Sequence, residues 1–502
     1  MKDTPWKKYL VFALFCGVVY VPLFHHLTWE PIHNWDEALY AMRAGYMAEE
    51  GAYLPDYTRW VKGGPAHRNT KPPFTTWIQA LSMKISGVSE LGLRLPVACS
   101  ALATVFLFLW FFRKKFGDIR IGYCAGFVLV TSLGYVREHA ARTGDQDAPL
   151  ALYMLAGAFA FYQYIEAKDA HKRWRWLAML TFLLIISALT KYVFGLLFLP
   201  AFFIYAIYKK ELWNMLKRGS TWLAVLIFGV AVGGWLAVME YRLPGFVHRV
   251  LFYEMVDRYT TVIELHEAPF WYYFANLWNG YFMPWLYLLP IAMAMFFYKT
   301  FRAYRDILLL MFLCAIGLLL IVSFSQTKTT HYEIVAYPPL AFLAGTGLYQ
   351  LASVFFRFFK TAAKAYKIVL VAAGFCIVVV LVIQPYQRVF EKIYKPRLTQ
   401  NELKYGYLFR KIEANRTGLK SFTVLHPGFE GQAAFYAGMY NRGKGYRIRL
   451  AEGAEGAAPG DTVMVCDKNI SKALFEKFHL QGLESYDECF VARIDSKLQT
   501  ED

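Results

Sequence analysis

Acidic side chains lie beside long apolar runs in two separate parts of this sequence. The segment HNWDEALYAMRAG carries Asp36 and Glu37, and the segment ARTGDQDAPL carries Asp145 and Asp147. Charged groups at the edge of an apolar segment are costly and commonly mark a working site. Carboxylates in that setting could act as general bases or as electrostatic partners of a reacting group.

Helical spacing decides which acid of the first segment can face a common site. Asp36, Tyr40 and Arg43 recur at i, i+4 and i+7 and therefore share one helix face. Glu37 points about 100° away, so only one acid of the pair can face a given site. The alternative is that both acids simply favour the positive end of a short interfacial helix.

The second acidic segment is a short turn between two apolar runs. Asp147 could be merely the N-cap of the helix that follows, with Pro149 close behind it. Capping does not explain Asp145 or Arg142 in the same turn. Acids from two loops at one membrane depth therefore predict a carboxylate-lined cavity.

Basic residues at the same depth predict a phosphate site. Lys71 heads the string KPPF, whose prolines stiffen the backbone and hold its ammonium near a fixed place. Lys191 interrupts the apolar run LTKYVFG, and Lys328 lies near His331 in QTKTTHYE. Any one of these lysines could instead only extend to the membrane interface. The cations that could together bind a phosphate are Lys71, Arg142, Lys191, Arg249, Arg258 and Lys328.

Long apolar runs must position these groups. Hydrophobic residues make up 57% of the 502 residues and charged ones 18%, and the apolar runs are long enough to cross a bilayer. We predict a polytopic α-helical membrane protein with about eleven spans, the first being an uncleaved anchor. The spans begin near residues 9, 92, 120, 148, 176, 192, 220, 271, 306, 334 and 368.

Basic clusters between the spans predict the orientation in the cell membrane. Because Lys and Arg concentrate in cytoplasmic loops, the amino terminus is predicted to be cytoplasmic, with large outer loops at 29–91 and 240–270. The net charge of +17 then indicates topology and contact with membrane lipids, not nucleic acid. The predicted cytoplasmic cations are Lys2, Lys7, Lys8, Arg113, Lys114, Lys115, Arg120, Lys168, Lys172, Arg173, Arg175, Lys209, Lys210, Lys217, Arg218, Lys299, Arg302, Arg305, Arg357, Lys360, Lys364 and Lys367.

The carboxyl-terminal part differs in kind from the rest. We predict a membrane domain at residues 1–386 and an exported soluble α/β domain at residues 387–502. Cys466 and Cys489 share the exported domain and could pair in an oxidising compartment, but their spacing does not establish the pairing. Strands are predicted at Ser421 to Leu425, Tyr446 to Leu450, Thr462 to Cys466 and Cys489 to Ile494, and helices at Gly431 to Tyr440 and Ser471 to Phe478.

An ordered set of motifs resembles a known family. DEALY, KPPF with the TTWIQALSMKISGVSELGLRLPVACS run behind it, RTGDQDAPL, LTKYVFG and KTTHYEIVAYPPLAFLAG follow one another over roughly residues 8–350. Together they resemble the GT-C glycosyltransferases related to the lipid A aminoarabinose transferase and to the protein O-mannosyltransferases. The resemblance implies a GT-C fold. It also implies an enzyme that moves a sugar from a polyprenyl phosphate, such as undecaprenyl phosphate, to a lipid or protein acceptor at the outer face.

The resemblance also implies roles for individual positions. Asp36 matches the acid that serves the acceptor, Asp147 the acid before the fourth span, and Lys71 the lysine near the carrier phosphate. Displacement at an anomeric carbon needs a base on one side and charge stabilisation of the departing phosphate on the other. Asp36 suits the first task, and Lys71, helped by Arg142 or Lys191, suits the second. This arrangement predicts in-line attack with inversion, with a double displacement left open.

Two positions depart from the aminoarabinose pattern. Where that pattern commonly has an arginine after the acid pair and an acid before the KPP lysine, this chain has Leu39 and Thr70. A phosphate contact and a possible metal ligand are therefore missing, although Arg43 could replace the first. His266 matches a histidine of some relatives, but it could equally be an interfacial hydrogen-bonding residue. We predict no required cofactor and assign no metal, with His266 as the one weak metal candidate.

The third outer loop and the individual site candidates allow several interpretations. The third outer loop, with Glu254, Asp257, Arg258 and Glu264 among aromatics, could be a lid, an acceptor-binding segment or an interfacial belt. The catalytic candidates are Asp36, Asp147 and Glu37; the phosphate-binding candidates are Lys71, Arg142, Lys191, Arg43 and Arg258; and the sugar or acceptor candidates are Tyr40, Asp145, His266 and His331.

Other functional classes predict other patterns. A lipid-linked sugar flippase would carry charges near the middle of its spans and often show repeated halves, neither of which the sequence has. A receptor or scaffold would leave the acids of the short second loop unexplained. Among enzymes, a glycolipid acceptor such as lipid A is favoured because the first-loop motif looks like the aminoarabinose branch, and transfer to protein is the alternative.

Overall fold

The computed structural model describes residues 5–51, 53–54, 70–263, 266–295, 302–395, 401–415 and 418–498. Lys2, Glu264 and Lys299, which the sequence analysis used, lie outside the described residues.

Within those ranges, eight helices are long and apolar enough to cross a membrane. Eight of the eleven predicted spans thus have a counterpart, and the protein is a multi-pass membrane protein. Three shorter apolar helices lie in the regions of the remaining predictions, near residues 120, 192 and 271. The eight are Trp6–Phe24, Glu90–Phe116, Asp147–Glu166, Ala170–Leu196, Gly219–Arg242, Ala303–Phe324, Thr330–Thr361 and Lys364–Tyr394, and the shorter three are Ile119–Val130, Leu199–Tyr208 and Trp285–Ala294.

The helices and strands have the following bounds. The α-helices are α1 (Pro5–Phe24), α2 (Asp36–Glu50), α3 (Phe74–Ser86), α4 (Glu90–Phe116), α5 (Ile119–Val130), α6 (Leu133–Val136), α7 (Asp147–Glu166), α8 (Ala170–Lys191), α9 (Leu199–Tyr208), α10 (Leu212–Lys217), α11 (Gly219–Arg242), α12 (Phe246–Leu251), α13 (Arg258–Thr260), α14 (Tyr272–Asn276), α15 (Leu289–Ala294), α16 (Arg302–Phe324), α17 (Tyr337–Thr361), α18 (Lys364–Val378), α19 (Gln384–Tyr394), α20 (Lys404–Ala414), α21 (Gly431–Gly443) and α22 (Lys468–Lys477). The strands are β1 (Ser421–His426), β2 (Arg447–Glu452), β3 (Thr462–Val465), β4 (Phe478–Tyr486) and β5 (Cys489–Lys497).

Local signals explain where several spans begin and end. The Ser89 hydroxyl caps α4 by accepting from the Gly92 amide at 3.1 Å, and the Asp118 carboxylate caps α5 by accepting from the Arg120 amide at 3.0 Å. The last turn of α4 carries Arg113, whose charge suits the negative end of the helix dipole.

Small residues let the spans approach one another closely. A side-chain carbon added at Gly345 of α17 would come within 2.4 Å of the Ala125 backbone in α5, so these helices touch at their backbones. Close approach through small residues is the usual basis of helix association in a membrane, where apolar side chains gain little from leaving lipid.

The carboxyl-terminal domain is built on a mixed five-stranded sheet in the order β2-β1-β3-β5-β4. Strand β1 pairs in parallel with β2 and β3, whereas β5 pairs antiparallel with β3 and β4. The four predicted strands and two predicted helices are all present, and Cys466 and Cys489 form a disulfide. Strand β4 and helix α20 were not predicted, and helix α19 continues past the predicted boundary at residue 386 to Tyr394.

Contacts from the carboxyl-terminal domain hold the segment before α2 and the start of α4. The Gln432 backbone amide donates to Asn34 Oδ1 at 3.1 Å, just before α2 begins. Tyr436 and Arg410 both donate to Glu90 Oε1, at 2.7 and 2.8 Å, at the first residue of α4. These contacts therefore fix the position of the start of α2, where Asp36 lies.

Candidate active site

Glu37 anchors the helix that presents Asp36. Its carboxylate pairs with Arg94 of α4, Nε to Oε1 at 2.6 Å and Nη2 to Oε2 at 2.9 Å, and also accepts from the His33 and Gly144 amides at 2.9 and 2.7 Å. Glu37 is 0% exposed and Arg94 is 2% exposed. Burial raises the pKa of the Glu37 carboxyl, but the attraction of Arg94 outweighs it and the net shift is downward. This pair joins α2, α4 and the second outer loop.

A hollow opens on the other side of the α2 amino terminus. Asp36 and Tyr40 line it together, as their spacing of one helical turn predicts, while Glu37 faces Arg94. The side chains around the hollow come from the first and third outer loops, the end of α8 and the turn before α17. They are Asp36, Tyr40, Lys71, Pro72, Lys191, Tyr192, Val193, Phe194, Glu254, Arg258, His331 and Tyr332.

Glu254 organises the cations of the third-loop wall. Lys71 Nζ lies 2.9 Å from Glu254 Oε1, and Arg258 Nε lies 3.2 Å from Oε2. Thr70 also donates a hydrogen bond to Glu254. Burial raises the pKa of Glu254, but Lys71 and Arg258 lower it to about 2. Glu254 thus places a carboxylate beside Thr70 and Lys71, where the sequence itself has no acid.

The opposite wall is formed where α8 ends. Lys191 Nζ donates to Asp147 Oδ1 at 2.7 Å, which links the lysine of LTKYVFG to the acid at the start of α7. Tyr192 follows with a φ of 37°, a left-handed conformation that is unfavourable for a tyrosine. The chain then turns into a 3-10 helix, Tyr192–Leu196, which directs both Lys191 and Tyr192 into the hollow. Asp147 itself is buried behind Lys191.

A histidine of the second outer loop also belongs to this region. His139 Nδ1 lies 3.2 Å from Asp145 Oδ1, and Asp145 accepts from the Thr143 hydroxyl at 2.6 Å. Burial lowers the pKa of His139, but the charges of Asp145, Asp36 and Asp147 raise it to about 10. The ring centroids of His139 and His331 are 5.1 Å apart.

Asp36 and these two histidines form a cluster that could hold a metal. One ligand atom from each of Asp36, His139 and His331 lies within 4.8 Å of the others. Burial raises the pKa of Asp36, but Lys71, His139, Lys191 and Arg258 outweigh it and the net shift is downward. Asp36 is therefore ionised at neutral pH and faces a strongly cationic wall.

Several predicted residues do not line the hollow, among them Arg249 and Lys328, whose Nζ donates to the Ser325 carbonyl. Arg142 donates to the carbonyls of Pro22, His25 and His26 at 2.8 to 3.0 Å, at the end of α1, and does not line the hollow. Arg43 is buried, 7% exposed, with its guanidinium carbon 5.8 Å from the centre of the Tyr40 ring, and does not line the hollow. His266 is exposed, and its carbonyl accepts from the Lys328 amide at 2.9 Å.

The positions of His139 beside Asp145 and of Glu254 beside Lys71 were not predicted from the sequence. His139 shares the polar turn of Asp145 and Asp147, which could have drawn attention to it, although its left-handed φ of 61° cannot be read from sequence. Glu254 was grouped only with a possible lid, since nothing in the sequence pairs it with Lys71.

Comparison with known proteins supports the resemblance. A family model described as dolichyl-phosphate-mannose-protein mannosyltransferase matches residues 70–236. An uncharacterized protein of Aquifex aeolicus is 27% identical over 347 residues, which are 67% of this chain and 63% of that protein. The undecaprenyl phosphate-alpha-4-amino-4-deoxy-L-arabinose arabinosyl transferase of Aeromonas salmonicida is 26% identical over 355 residues, 70% of this chain and 61% of that protein. The match thus spans less than two thirds of the length of these relatives.

The fold has a counterpart among solved structures. The crystal structure of ArnT from Cupriavidus metallidurans bound to undecaprenyl phosphate aligns with a TM-score of 0.69 and 18% identity, covering 96% of this chain and 97% of that one. At this identity the likeness shows the fold alone. The predicted fold class is therefore confirmed, as is the resemblance to the GT-C glycosyltransferases stated from the motifs.

Proposed function

We propose that this protein is a glycosyltransferase that moves a sugar from a polyprenyl phosphate carrier to an acceptor of the cell envelope. The observation that carries the proposal is that Asp36 shares one hollow with Lys71, Lys191 and Arg258. A general base faces a group of cations there, as displacement of a phosphate from an anomeric carbon requires. The match to the mannosyltransferase model and the name of the Aeromonas relative support the same reaction class.

The transfer is an in-line displacement with inversion. The acceptor oxygen attacks the anomeric carbon, and its proton passes to Asp36. The bond from that carbon to the carrier phosphate breaks, and the electron pair leaves on the phosphate oxygen. Lys71, Arg258 and Lys191 stabilise the charge that develops on this oxygen. Glu254 holds Lys71 and Arg258 in position until the phosphate arrives.

The reaction takes place at the outer face of the membrane. The positive-inside distribution of Lys and Arg supports this orientation, with the carboxyl-terminal domain on the exported side. The Cys466–Cys489 disulfide supports it as well, since such bonds persist in oxidising compartments. The acceptor is a glycolipid such as lipid A, in line with the first-loop motif and the named relative. Transfer to a protein hydroxyl is the alternative within the same chemistry.

A reconstitution experiment tests this function. Purified protein in lipid vesicles is incubated with polyprenyl phosphate-sugar and an acceptor, and free polyprenyl phosphate and modified acceptor are measured by mass spectrometry. Release of free polyprenyl phosphate, together with a glycolipid whose mass has increased by the mass of the sugar, supports the proposal. A modified protein acceptor would support the alternative. Carrier that crosses vesicle membranes without cleavage of its sugar would overturn the proposal in favour of a flippase.

A further inference from the structure

We propose that Asp36, His139 and His331 bind one divalent transition-metal ion, with zinc as the best fit. The three side chains come from the start of α2, the second outer loop and the 3-10 turn Thr330–Ala336 before α17. Their ligand atoms nonetheless lie within 4.8 Å of one another. Such convergence of three segments is not a consequence of local chain geometry.

The donor set suits zinc. Two imidazoles and one carboxylate leave a fourth position open, which is the composition of many zinc sites that act on a ligand. At metal distances of about 2.0–2.2 Å, ligand atoms of a tetrahedral site lie roughly 3.3–3.6 Å apart. Small side-chain rotations would bring the three groups from their present separation to that distance.

Neighbouring side chains already orient both imidazoles. His139 Nδ1 faces Asp145 at 3.2 Å, which leaves Nε2 for a metal, and the Thr143 hydroxyl fixes Asp145 at 2.6 Å. Carboxylates that hold the distal nitrogen of a metal-binding histidine are the usual outer partners of such sites. His331 Nε2 lies 3.2 Å from the Thr329 hydroxyl, which leaves its Nδ1 for the ion.

The backbone conformation of His139 indicates that the surrounding structure constrains the direction of its side chain. Its φ of 61° lies in the left-handed region, which costs a non-glycine residue free energy. Residues held in such conformations cluster at functional sites, where the surrounding structure imposes a side-chain direction. Here that direction turns the imidazole of His139 toward the ring of His331.

Local charge does not oppose a cation. Lys71 and Arg258 are both paired with Glu254, and Lys191 is paired with Asp147. With Asp36 and Asp145 added, four carboxylates offset three cationic side chains and the charge of His139. The cluster therefore carries no net positive charge that would repel a divalent ion.

This site differs from the metal position that the sequence analysis considered. That position depended on an acid at residue 70 and on His266, and the chain has Thr70 and an exposed His266 instead. The part of the ion in transfer rests on the proposed function: its open position would take the acceptor oxygen, on the side of the sugar where Asp36 lies. Metal binding itself does not depend on turnover.

The experiment measures the amount of bound metal and does not depend on transfer activity. The full-length protein, purified in detergent with metal-free buffers, is loaded with Zn²⁺, dialysed and analysed by inductively coupled plasma mass spectrometry. Co²⁺ is titrated in parallel, and its visible absorption reports nitrogen and oxygen ligation. We expect one ion per chain, and at least a ten-fold weaker binding in the variants His139→Asn and His331→Asn. The variant His479→Asn, which changes an exposed histidine of β4 outside the cluster, is the matched control and should bind as the wild type does.

The outcomes separate this inference from the proposed function. No bound ion in the wild type, or equal binding in His139→Asn, His331→Asn and the wild type, would overturn the site even if sugar transfer proceeds. A bound ion in a protein that never transfers sugar would leave the site standing and overturn the proposed function. Thermal unfolding curves of the variants establish that each is folded. If His139→Asn is not, His331→Asn alone decides, since the two residues lie on separate segments.

Discussion

The carboxylates of Asp36 and Glu37, adjacent in sequence, face different sides of the first turn of α2. Glu37 is enclosed with Arg94, whereas Asp36 opens onto a hollow lined by lysines and an arginine. One acid therefore holds the helix in position so that the other can be presented. An anchoring acid beside one that lines the hollow accounts for the two adjacent carboxylates.

Removing the Glu37 charge should destabilise the protein. The variant Glu37→Gln keeps the side-chain shape but leaves the Arg94 guanidinium buried without its counter-charge. Loss of one partner of a buried ion pair typically costs about 3–5 kcal/mol. We expect a clearly lower thermal unfolding midpoint in detergent, followed by intrinsic fluorescence.

An exposed ion pair provides the control for that measurement. The variant Glu476→Gln removes the carboxylate that lies 3.9 Å from Lys472 in α22, and should cost less than about 1 kcal/mol. Equal midpoints for Glu37→Gln and Glu476→Gln would show that Glu37 does not anchor α2.

Lys71 should govern the use of the donor. The variant Lys71→Ala removes an ammonium that lines the hollow, and a charged hydrogen bond of this kind is worth about 1.5–3 kcal/mol. We therefore expect the donor concentration needed for half-maximal transfer to rise roughly ten- to hundred-fold. Lys84→Ala, an exposed lysine near the end of α3, serves as the control. An unchanged donor requirement in Lys71→Ala would move the phosphate contact to Lys191 or Arg258.

Glu430 should make stability depend on pH. Burial and the nearby Glu402 carboxylate raise the pKa of Glu430 to about 8. The unfolded chain releases this proton near pH 4.3, so between about pH 4.3 and 8 the folded state binds more protons and loses stability as pH rises. The slope is at most about 1.4 kcal/mol per pH unit, and it vanishes above pH 8.

The variant Glu430→Gln should remove that dependence. Its unfolding midpoint should exceed that of the wild type at pH 8 and match it near pH 4, measured by scanning fluorimetry. Glu455→Gln, at an exposed position of the same domain, should follow the wild type at both values. A stabilisation of equal size at both pH values would show that Glu430 does not carry a raised pKa.

Long-range pairings separate what the sequence could predict from what it could not. The spans and most strands follow from apolar runs and alternation, and the divergence of Asp36 from Glu37 follows from helical period alone. The partner of Glu37 lies on another helix, and Glu254 reaches Lys71 across 183 residues. No local pattern encodes such contacts. From the sequence we predicted that Arg142 binds a phosphate, because its carbonyl partners at the end of α1 are apparent only in the structure.

The most direct test of the account is sugar transfer by the variant Asp36→Asn, which keeps the shape of the side chain and removes its charge. Purified wild type and variant are incubated with polyprenyl phosphate-sugar and an acceptor glycolipid, and the release of polyprenyl phosphate is followed by mass spectrometry. We predict that the variant folds and binds the donor nearly as the wild type does, but that its transfer rate falls by at least about a hundred-fold. Transfer at the wild-type rate by Asp36→Asn would contradict the account.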